Sequence, residues 1–416
     1  MNAKEQIEHL EKELKALRKK YYIKSFFRKA KRLVTDFLPL DSIPSECCTE
    51  RIMISDKEES ELFLPKTFNT VTQATIKAPK NPIEIFALQN VLCIPNSTYF
   101  LDLKKEKIYY ERWHDDDRIT YVYNTNNLLQ HSMTLAKVKN YKEVYYDEEA
   151  IFMGGTFTFN YYHFLVDILS KVEYFKHIPD AKNKLIVIDE DVQKVENLKD
   201  LLMFFLKDYK IVFLSHEKNY YRFKKLWHIT SNNYAVPNIM PGMTYEAGFT
   251  KLSKSSLQYL RKTAFDNLDL TKVRIQPVKR IFISRRSQYR KYNEEEILAL
   301  VQKHGFEEVF FEDLNIHEQI YLVNNAEYII GPSGAAWTNV LFANEGAKGL
   351  SWFSSVWGDF AIFSTLAKQA GFDLYFYIYP QDYEGFHEDY RLDPEIFSKY
   401  LEQLLNLPSN EIQNHP

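Results

Sequence analysis

The chain has 416 residues, a formal net charge of −3, 45% hydrophobic residues and 26% charged residues. This length exceeds one compact core, so two domains are expected, and there is no general basic excess for binding nucleic acid. Its three cysteines, Cys47, Cys48 and Cys93, are too few for a disulfide framework and indicate a reducing compartment. Without a recognisable signal peptide or a membrane-spanning apolar run, the sequence predicts a cytoplasmic protein.

The N-terminal segment differs in composition from the rest of the chain. Apolar residues from Ala3 to Tyr21 alternate at spacings of three and four, which is typical of a coiled-coil seam. Between Arg18 and Arg32, basic and aromatic residues are interleaved without an acidic residue, a pattern typical of a helix on an anionic membrane surface. Residues 1–40 are therefore predicted to form a basic amphipathic or coiled-coil helix. The two alternatives are peripheral contact with the inner membrane through residues 1–35 and a coiled coil that makes a homo-oligomer.

Residues 41–265 are predicted to form an N-terminal α/β domain that begins after a proline-marked linker. Within it, a glycine turn, MGGTF, leads into an amphipathic helix, NYYHFLVDILSKVEYF, and then a buried strand, NKLIVIDED. The turn is predicted to leave room for a ligand over the start of the helix. His163 and Asp167 are four residues apart on this helix and share a face. An imidazole beside a carboxylate can serve as a general base, although such pairs also occur as purely structural contacts.

Residues 266–416 show a clearer pattern of apolar strands alternating with amphipathic helices. The pattern starts with strand RIFISRR and helix NEEEILALVQKHGF, and it ends with helix DPEIFSKYLEQLL, which Asp393 is predicted to cap. Such alternation predicts a parallel, doubly wound sheet. Ligands of such sheets bind beyond the carboxyl ends of the strands.

One candidate ligand site at that edge is the stretch IIGPSGAAWTN, residues 329–339, which places small residues where a strand passes into a helix. Small residues allow a ligand to approach the backbone, and a helix N-terminus favours an anion. A phosphate is the expected ligand. A tight turn without any ligand is the alternative.

A second candidate is the stretch ISRRSQYRKYNEE, which follows another strand and contains Ser284, Arg285, Arg286, Arg290 and Asn293. Guanidinium groups hold diphosphates through bidentate, charge-assisted hydrogen bonds. We therefore expect Arg285 or Arg290 to bind phosphate and Asn293 to cap the following helix. A solvated loop of arginines is the alternative.

Two acidic runs are alternatives for metal binding. HDDDR contains Asp115 and Asp117 in the Asp-x-Asp pattern that binds Mg²⁺ or Mn²⁺ with a nucleotide diphosphate, and DED at 189–191 ends a strand. Acidic runs are more often solvated loops, so neither a metal nor another cofactor is predicted. The chain has no Walker loop, dinucleotide fingerprint, nucleophile elbow or zincin motif, which disfavours the corresponding enzyme classes.

Taken together, the stretches NYYHFLVD, RIFISRRSQYRKYNEEE and FEDLNIHEQIYLVNNAEYIIGPSGAAWTNVLF resemble glycosyltransferase family 61 in sequence and order. This family includes bacterial capsule and lipopolysaccharide enzymes, plant xylan-decorating enzymes and animal O-glycan transferases. The resemblance implies an α/β fold of the GT-B type, in which two Rossmann-like domains face each other across a cleft, and inversion at the sugar carbon. Residues 266–416 would then bind the nucleotide sugar, and residues 41–265 would bind the acceptor.

The resemblance also implies roles for individual residues. His163 and Asp167 would be catalytic, and Asn160 would lie on the acceptor side. The implied donor-binding residues are Ser284, Arg285, Arg290, Asn293, Glu312, Gln319, Gly331, Ser333, Gly334, Ala335 and Asn339.

The sequence departs from the family at Ser333, where the family's loop commonly carries histidine. Serine can donate a hydrogen bond to phosphate but carries no positive charge, so donor binding would depend more on the arginines. The sequence therefore predicts an inverting, metal-independent transfer from a nucleotide sugar, most simply a UDP-sugar, to a glycan or lipid-linked hydroxyl in capsule or lipopolysaccharide synthesis. The alternatives are a non-catalytic scaffold subunit of a polysaccharide-synthesis complex and a phosphotransferase.

Overall fold

The computed structural model describes residues 31–408, except residues 35, 57–58, 113–126, 216, 218, 236–245, 287–288 and 381–387. Most of the N-terminal segment for which a coiled-coil or membrane helix is predicted lies outside these residues. Its last part, Lys31–Val34, forms a strand paired with Ala136–Lys139, so the predicted helix is wrong there. Within the described ranges, no helix has the length and apolar character needed to cross a membrane.

The first large sheet has six strands. They are β1 (Cys48–Ser55), β2 (Ile83–Leu88), β3 (Lys142–Phe152), β4 (Leu185–Asp189), β5 (Lys210–Leu214) and β6 (Asn219–Ile229). Their order is β5-β4-β3-β6-β2-β1, in which β3 to β6 are parallel and β2 and β1 are antiparallel to their neighbours. The sheet is therefore mixed, and the Rossmann-like pattern predicted for this part of the chain is limited to its parallel strands.

The described residues also form four smaller sheets, which are antiparallel or mixed. Their strands are Lys31–Val34, Ala136–Lys139 and Leu128–His131; Asp36–Pro39, Lys107–Tyr110 and Tyr99–Asp102; Glu59–Phe63 and Thr75–Pro79; and Tyr234–Ala235 and Thr250–Lys251.

The segment that follows β3 is helical, but it is not the regular α-helix that the sequence predicts. His163–Ile168 form a π-helix, and Leu169–His177 continue as a 3₁₀-helix. Residues 164–171 are all buried, so the segment packs against the core on every side instead of along one apolar stripe. Contacts with that core override the local preference for an α-helix, and π-helical turns of this kind occur frequently at functional sites.

Three α-helices complete this half of the described chain. They are α1 (Glu190–Lys194), α2 (Glu196–Leu206) and α3 (Lys254–Asp266).

The second large sheet has five strands, all parallel. They are β7 (Arg280–Ser284), β8 (Glu307–Phe310), β9 (Tyr328–Pro332), β10 (Lys348–Ser354) and β11 (Asp373–Tyr379). Their order is β8-β7-β9-β10-β11, which confirms the predicted doubly wound sheet. From β7 the chain continues to β8 on one side, whereas from β9 it continues to β10 on the other side. The topological switch point therefore lies between the carboxyl ends of β7 and β9, and sheets of this kind bind ligands there.

Helices alternate with these strands as the sequence predicts. They are α4 (Glu294–Gln302), α5 (Ile316–Asn325), a 3₁₀-helix at Ala335–Phe342, α6 (Ile362–Ala370) and α7 (Pro394–Leu405). The predicted cap of α7 is confirmed, because Asp393 Oδ1 accepts hydrogen bonds from the Glu395 and Ile396 amides at 2.8 and 3.2 Å.

One buried core joins the two large sheets. It contains Ile151 and Ile188 from the first sheet, Ile283 and Phe353 from the second, and Phe164 from the helical segment after β3. This segment and the 3₁₀-helix at 335–342 therefore share a core, and the Tyr161 hydroxyl bonds to Asn339 of that 3₁₀-helix at 2.8 Å.

Candidate functional site

Two arginines converge on the loop that follows β9. A Cβ atom added to Gly334 would lie 3.6 Å from Arg290 Nη2 and 3.8 Å from Arg285 Nη1. Arg290 Nη2 also donates a hydrogen bond to the Ser333 carbonyl at 2.9 Å. The fold thus brings together, at the switch point, the two stretches that the sequence marks separately as phosphate-binding candidates.

The charges of these two arginines are only partly offset, since Arg285 acts on the nearby Glu294 carboxyl, whose pKa burial raises and Arg285 lowers. Their neighbour Arg286 pairs with Asp313, with an Nε–Oδ1 distance of 3.0 Å, whereas no described carboxylate forms an ion pair with Arg285 or Arg290. Burial, and then the like charge of Arg285, lower the pKa of Arg290 to about 10. Two guanidinium groups held together in this way favour binding of an anion between them.

Arg290 also has an unusual backbone conformation. Its φ of 55° lies in the left-handed region, which non-glycine residues rarely adopt. Such strained residues occur often where a side chain must be held in a functional position.

A cavity of about 780 Å³ adjoins the two arginines. Its lining also includes the first turn of α4, with Glu294, and the Glu308 side chain of β8. This volume lies within the range that is typical of small-molecule binding pockets.

Gly331 and Gly334, the two glycines predicted to bind the donor, have different surroundings, so the need for glycine has a different cause at each position. A Cβ on Gly331 would lie 2.7 Å from Ile283 Cβ and 3.0 Å from the Ile283 carbonyl oxygen, so this glycine allows β9 to pack closely on β7. Gly334 has ordinary extended backbone angles and only the two arginine side chains and one carbonyl within 4.0 Å of such a Cβ. Close packing explains Gly331, while Gly334 faces the space between the guanidinium groups.

This difference predicts opposite results for the two alanine variants. Gly331→Ala is expected to lower the free energy of unfolding by about 1–3 kcal/mol through overpacking. Gly334→Ala is expected to keep the wild-type stability and to weaken binding of UDP at least about tenfold, or ~1.4 kcal/mol. Denaturant unfolding and titration calorimetry measure the two effects. A Gly334→Ala protein that binds UDP normally would contradict a phosphate site at this loop.

His163 and Asp167 form a close pair, as their predicted shared face requires. The distance from His163 Nδ1 to Asp167 Oδ2 is 2.7 Å, and the two side chains are only 13% and 11% exposed. Burial raises the pKa of Asp167, and the hydrogen bond with His163 opposes this rise. Asn160 begins the helical segment, because its Oδ1 accepts a hydrogen bond from the Tyr162 amide at 3.0 Å.

The glycines of the turn before this pair have a packing explanation. A Cβ on Gly154 would collide with the ring of Phe152, and one on Gly155 would collide with Ile168 Cδ1. The glycines therefore allow the chain's own side chains to pack closely, and the direction in which a Cβ would point is filled by Phe152 and Ile168.

Sequence reasoning missed a buried lysine on the same segment. Lys171 is 0% exposed, and its Nζ has no hydrogen-bond partner among the described residues. Burial lowers the pKa of Lys171, while the charges of Glu111 and Asp167 oppose this effect. A lysine four residues after an aspartate usually forms a solvated surface pair, so no signal in the sequence distinguishes it.

Several predicted donor-site side chains are engaged within the protein. Ser284 Oγ donates to Glu308 Oε1 at 2.8 Å. Asn293 is at the N-cap position of α4, but its amide bonds to Glu296 and Leu392 and makes no capping hydrogen bond, so that part of its prediction is wrong. Glu312 is exposed.

The Gln319 and Asn339 amides bond to one another. Asn339 Nδ2 donates to Gln319 Oε1 at 3.0 Å, and both residues are buried. In contrast, Ser333 Oγ is buried beside the arginines without a hydrogen-bond partner among the described residues, and Ala335 is partly exposed.

Of the two acidic runs, only DED at 189–191 lies in the part of the chain that the structure describes. Asp115 and Asp117 lie outside the described residues. Asp189 Oδ1 accepts a hydrogen bond from the Asp191 amide at 3.1 Å and so caps α1. Across the ranges that the structure describes, no three His, Cys, Asp or Glu side chains come together as possible metal ligands.

The fold defines an α/β protein with a parallel, doubly wound sheet. At its switch point lie two arginines, Arg285 and Arg290, that form no ion pair with a described carboxylate. Residues 161–350 match the model of the family described as Glycosyltransferase 61, which confirms the resemblance to glycosyltransferase family 61 over that segment. The match supports a glycosyltransferase, and it contains both the His163–Asp167 pair and the arginine site. No curated protein gives a significant match to the chain.

Proposed function

We propose that this protein is an inverting glycosyltransferase that moves a sugar from a nucleotide-sugar donor to a glycan or lipid-linked hydroxyl. The observation that carries this proposal is the convergence of Arg285 and Arg290, which lack carboxylate partners in the described chain, on Gly334. A nucleotide diphosphate has the charge and the bidentate oxygen geometry that two guanidinium groups bind. Among nucleotide sugars, a UDP-sugar is the first candidate.

In the proposed reaction, the bond between the sugar carbon and the diphosphate breaks while the acceptor oxygen attacks from the opposite face. Negative charge builds on the leaving diphosphate, where Arg285 and Arg290 stabilise it. His163 takes the proton of the acceptor hydroxyl on Nε2, because its Nδ1 is held by Asp167. Asp167 then stabilises the imidazolium, and a single displacement inverts the sugar carbon.

We also propose that the segments of the chain have the separate binding roles that a GT-B architecture implies. Residues 266–416 bind the donor, residues 41–265 present the acceptor and the base, and residues 1–35 contact the inner membrane, where a lipid-linked acceptor of capsule or lipopolysaccharide synthesis is located. A coiled-coil homo-oligomer formed by residues 1–35 is the competing proposal. Removing these residues distinguishes the two, since only membrane contact predicts release of the protein from membranes.

The proposed function is tested by incubating the purified protein with UDP-, CMP- and GDP-sugars and measuring donor hydrolysis or transfer. We expect turnover with one nucleotide class and binding of the matching nucleotide by calorimetry. A protein that binds none of these nucleotides would be a scaffold subunit, and release of a sugar phosphate would identify a phosphotransferase.

Activity is expected to survive EDTA, because Arg285 and Arg290 supply positive charge to the leaving diphosphate, the role that a divalent ion has in metal-dependent transferases. Donor hydrolysis with and without EDTA measures this effect directly. Loss of activity that Mn²⁺ restores, and that Asp115→Ala or Asp117→Ala abolishes, would instead support the Asp-x-Asp alternative.

A further inference from the structure

A chain of hydrogen bonds connects the His163 segment to the loop that carries Gly334. The Tyr161 hydroxyl donates to Asn339 Oδ1 at 2.8 Å, and Asn339 Nδ2 donates to Gln319 Oε1 at 3.0 Å. Gln319 Nε2 in turn donates to the Phe311 and Leu314 carbonyls at 3.1 and 2.9 Å. We call this chain, Tyr161–Asn339–Gln319, the amide clasp.

The amide clasp is buried and its geometry is determined at each step. Asn339 is 1% exposed and Gln319 is 2% exposed. Each amide uses its nitrogen as donor and its oxygen as acceptor, so neither amide can rotate by 180° without losing its hydrogen bonds. Because an unsatisfied buried amide is costly, the clasp holds its three side chains in one arrangement.

The two ends of the amide clasp lie next to the two halves of the candidate site. Tyr161 precedes His163 by two residues in the segment that continues into the π-helix. Asn339 lies on the 3₁₀-helix at Ala335–Phe342, for which Gly334 is the N-terminal cap. The clasp therefore fixes how the start of the His163 segment sits against the helix that follows the arginine-facing loop.

Both amides are buried and bonded to protein groups, so neither side chain is exposed to a nucleotide-sugar donor. This differs from the donor-binding roles that the family resemblance implies for Gln319 and Asn339. Their position between the His163 segment and Gly334 gives them a different role.

We propose that Tyr161 is a positioning residue, which acts through Asn339 and Gln319 to set the distance between His163 and a donor bound at Gly334. This inference rests on the proposed function. General base catalysis requires the base within hydrogen-bond reach of the acceptor hydroxyl, and a misplacement of ~1 Å can cost about 10²-fold in rate.

The test compares Tyr161→Phe with Tyr221→Phe. Tyr221 also donates a hydroxyl hydrogen bond, at 2.7 Å to the Ser215 carbonyl, and it belongs to a different part of the core, so its variant controls for the loss of a hydroxyl. At a temperature where both variants are folded, Tyr161→Phe is expected to lower kcat at least about tenfold with KM for the donor unchanged, because a displaced base affects the transition state alone. Tyr221→Phe is expected to keep both constants.

A second test compares the kcat of the double variant with those of the single variants, because residues that act through each other have non-additive effects. If Tyr161 acts through Asn339, the double variant Tyr161→Phe/Asn339→Ala should be no slower than Asn339→Ala alone. Effects on kcat that multiply, or an unchanged kcat in Tyr161→Phe, would overturn the inference.

Crystal structures of wild type and Tyr161→Phe with UDP provide a readout that does not depend on turnover. After superposition on β7 to β11, the His163 imidazole of the variant is expected to shift by ~1 Å relative to Gly334. An imidazole that stays in place would overturn the inference. A wild-type protein that turns over no nucleotide sugar would instead refute the proposed function, and the crystal comparison would still decide whether the clasp positions His163.

Discussion

His163→Ala is expected to lower kcat by about 10²–10⁴-fold, the usual contribution of general base catalysis, while the affinity for UDP stays at its wild-type value. The reason is that His163 Nδ1 bonds to Asp167 Oδ2 at 2.7 Å, which orients the ring and leaves Nε2 to accept the proton. The guanidinium groups that bind the diphosphate are untouched by this change. Steady-state kinetics and calorimetry with UDP separate the two quantities.

The pair also predicts a pH dependence. Burial raises the pKa of Asp167 above the usual aspartate value, so the carboxylate that stabilises the imidazolium is lost on acidification earlier than an exposed aspartate would be. The acid limb of the kcat profile should therefore lie above the pH at which exposed aspartates titrate, and Asp167→Asn should remove the contribution of Asp167 to it.

A matched control for the effect of His163→Ala on kcat is His177→Ala. His177 ends the same helical segment and is exposed, so its loss should leave kcat unchanged. Near-normal turnover in both His163→Ala and Asp167→Ala would show that the pair has only a packing role, and the base would then have to be another group facing the donor.

Arg285→Gln and Arg290→Gln are each expected to weaken binding of UDP by about 10–100-fold, which corresponds to hydrogen bonds with a charged partner worth ~1.5–3 kcal/mol. Neither guanidinium forms an ion pair with a described carboxylate, and both approach the Gly334 position. Calorimetry at several salt concentrations should also show a weaker salt dependence in the variants, because one charge contact with the diphosphate is lost.

Arg286→Gln is the control for this experiment, because it removes the same charge from the same loop. Arg286 is paired with Asp313 and is exposed, so its variant should bind UDP within about twofold of wild type, as expected for an exposed pair worth ~0–1 kcal/mol. Equal losses in all three variants would indicate a general charge effect and contradict a specific site at Arg285 and Arg290.

The sequence by itself determined the alternation of strands and helices from β7 to α7. Continuous apolar runs such as RIFIS and EYII predict buried parallel strands, and the structure has them as neighbouring strands β7 and β9. Asp393 before Pro394 predicts the start of α7, and the capping hydrogen bonds are present. Periodicity and capping depend on residues close together in the chain, which is why they are visible without a structure.

The candidate site was only partly visible in the sequence. The strand-end position of Arg285, Arg290 and Gly334 follows from the alternation of strands and helices. Which arginine is neutralised does not follow from it, because Asp313, the partner of Arg286, is 27 residues further along the chain. The same limit applies to Gly331, whose packing against Ile283 depends on the pairing of two strands.

Only the tertiary structure decided the π- and 3₁₀-helical form of residues 163–177, the filling of the space around Gly154 and Gly155, and the burial of Lys171. It also decided that the Gln319 and Asn339 amides bond to each other and to Tyr161, which is 178 residues away from Asn339. Each of these features depends on contacts between elements that are far apart in the chain. Local patterns of hydrophobic and polar residues do not predict such contacts, because the same residues in another fold would have different neighbours.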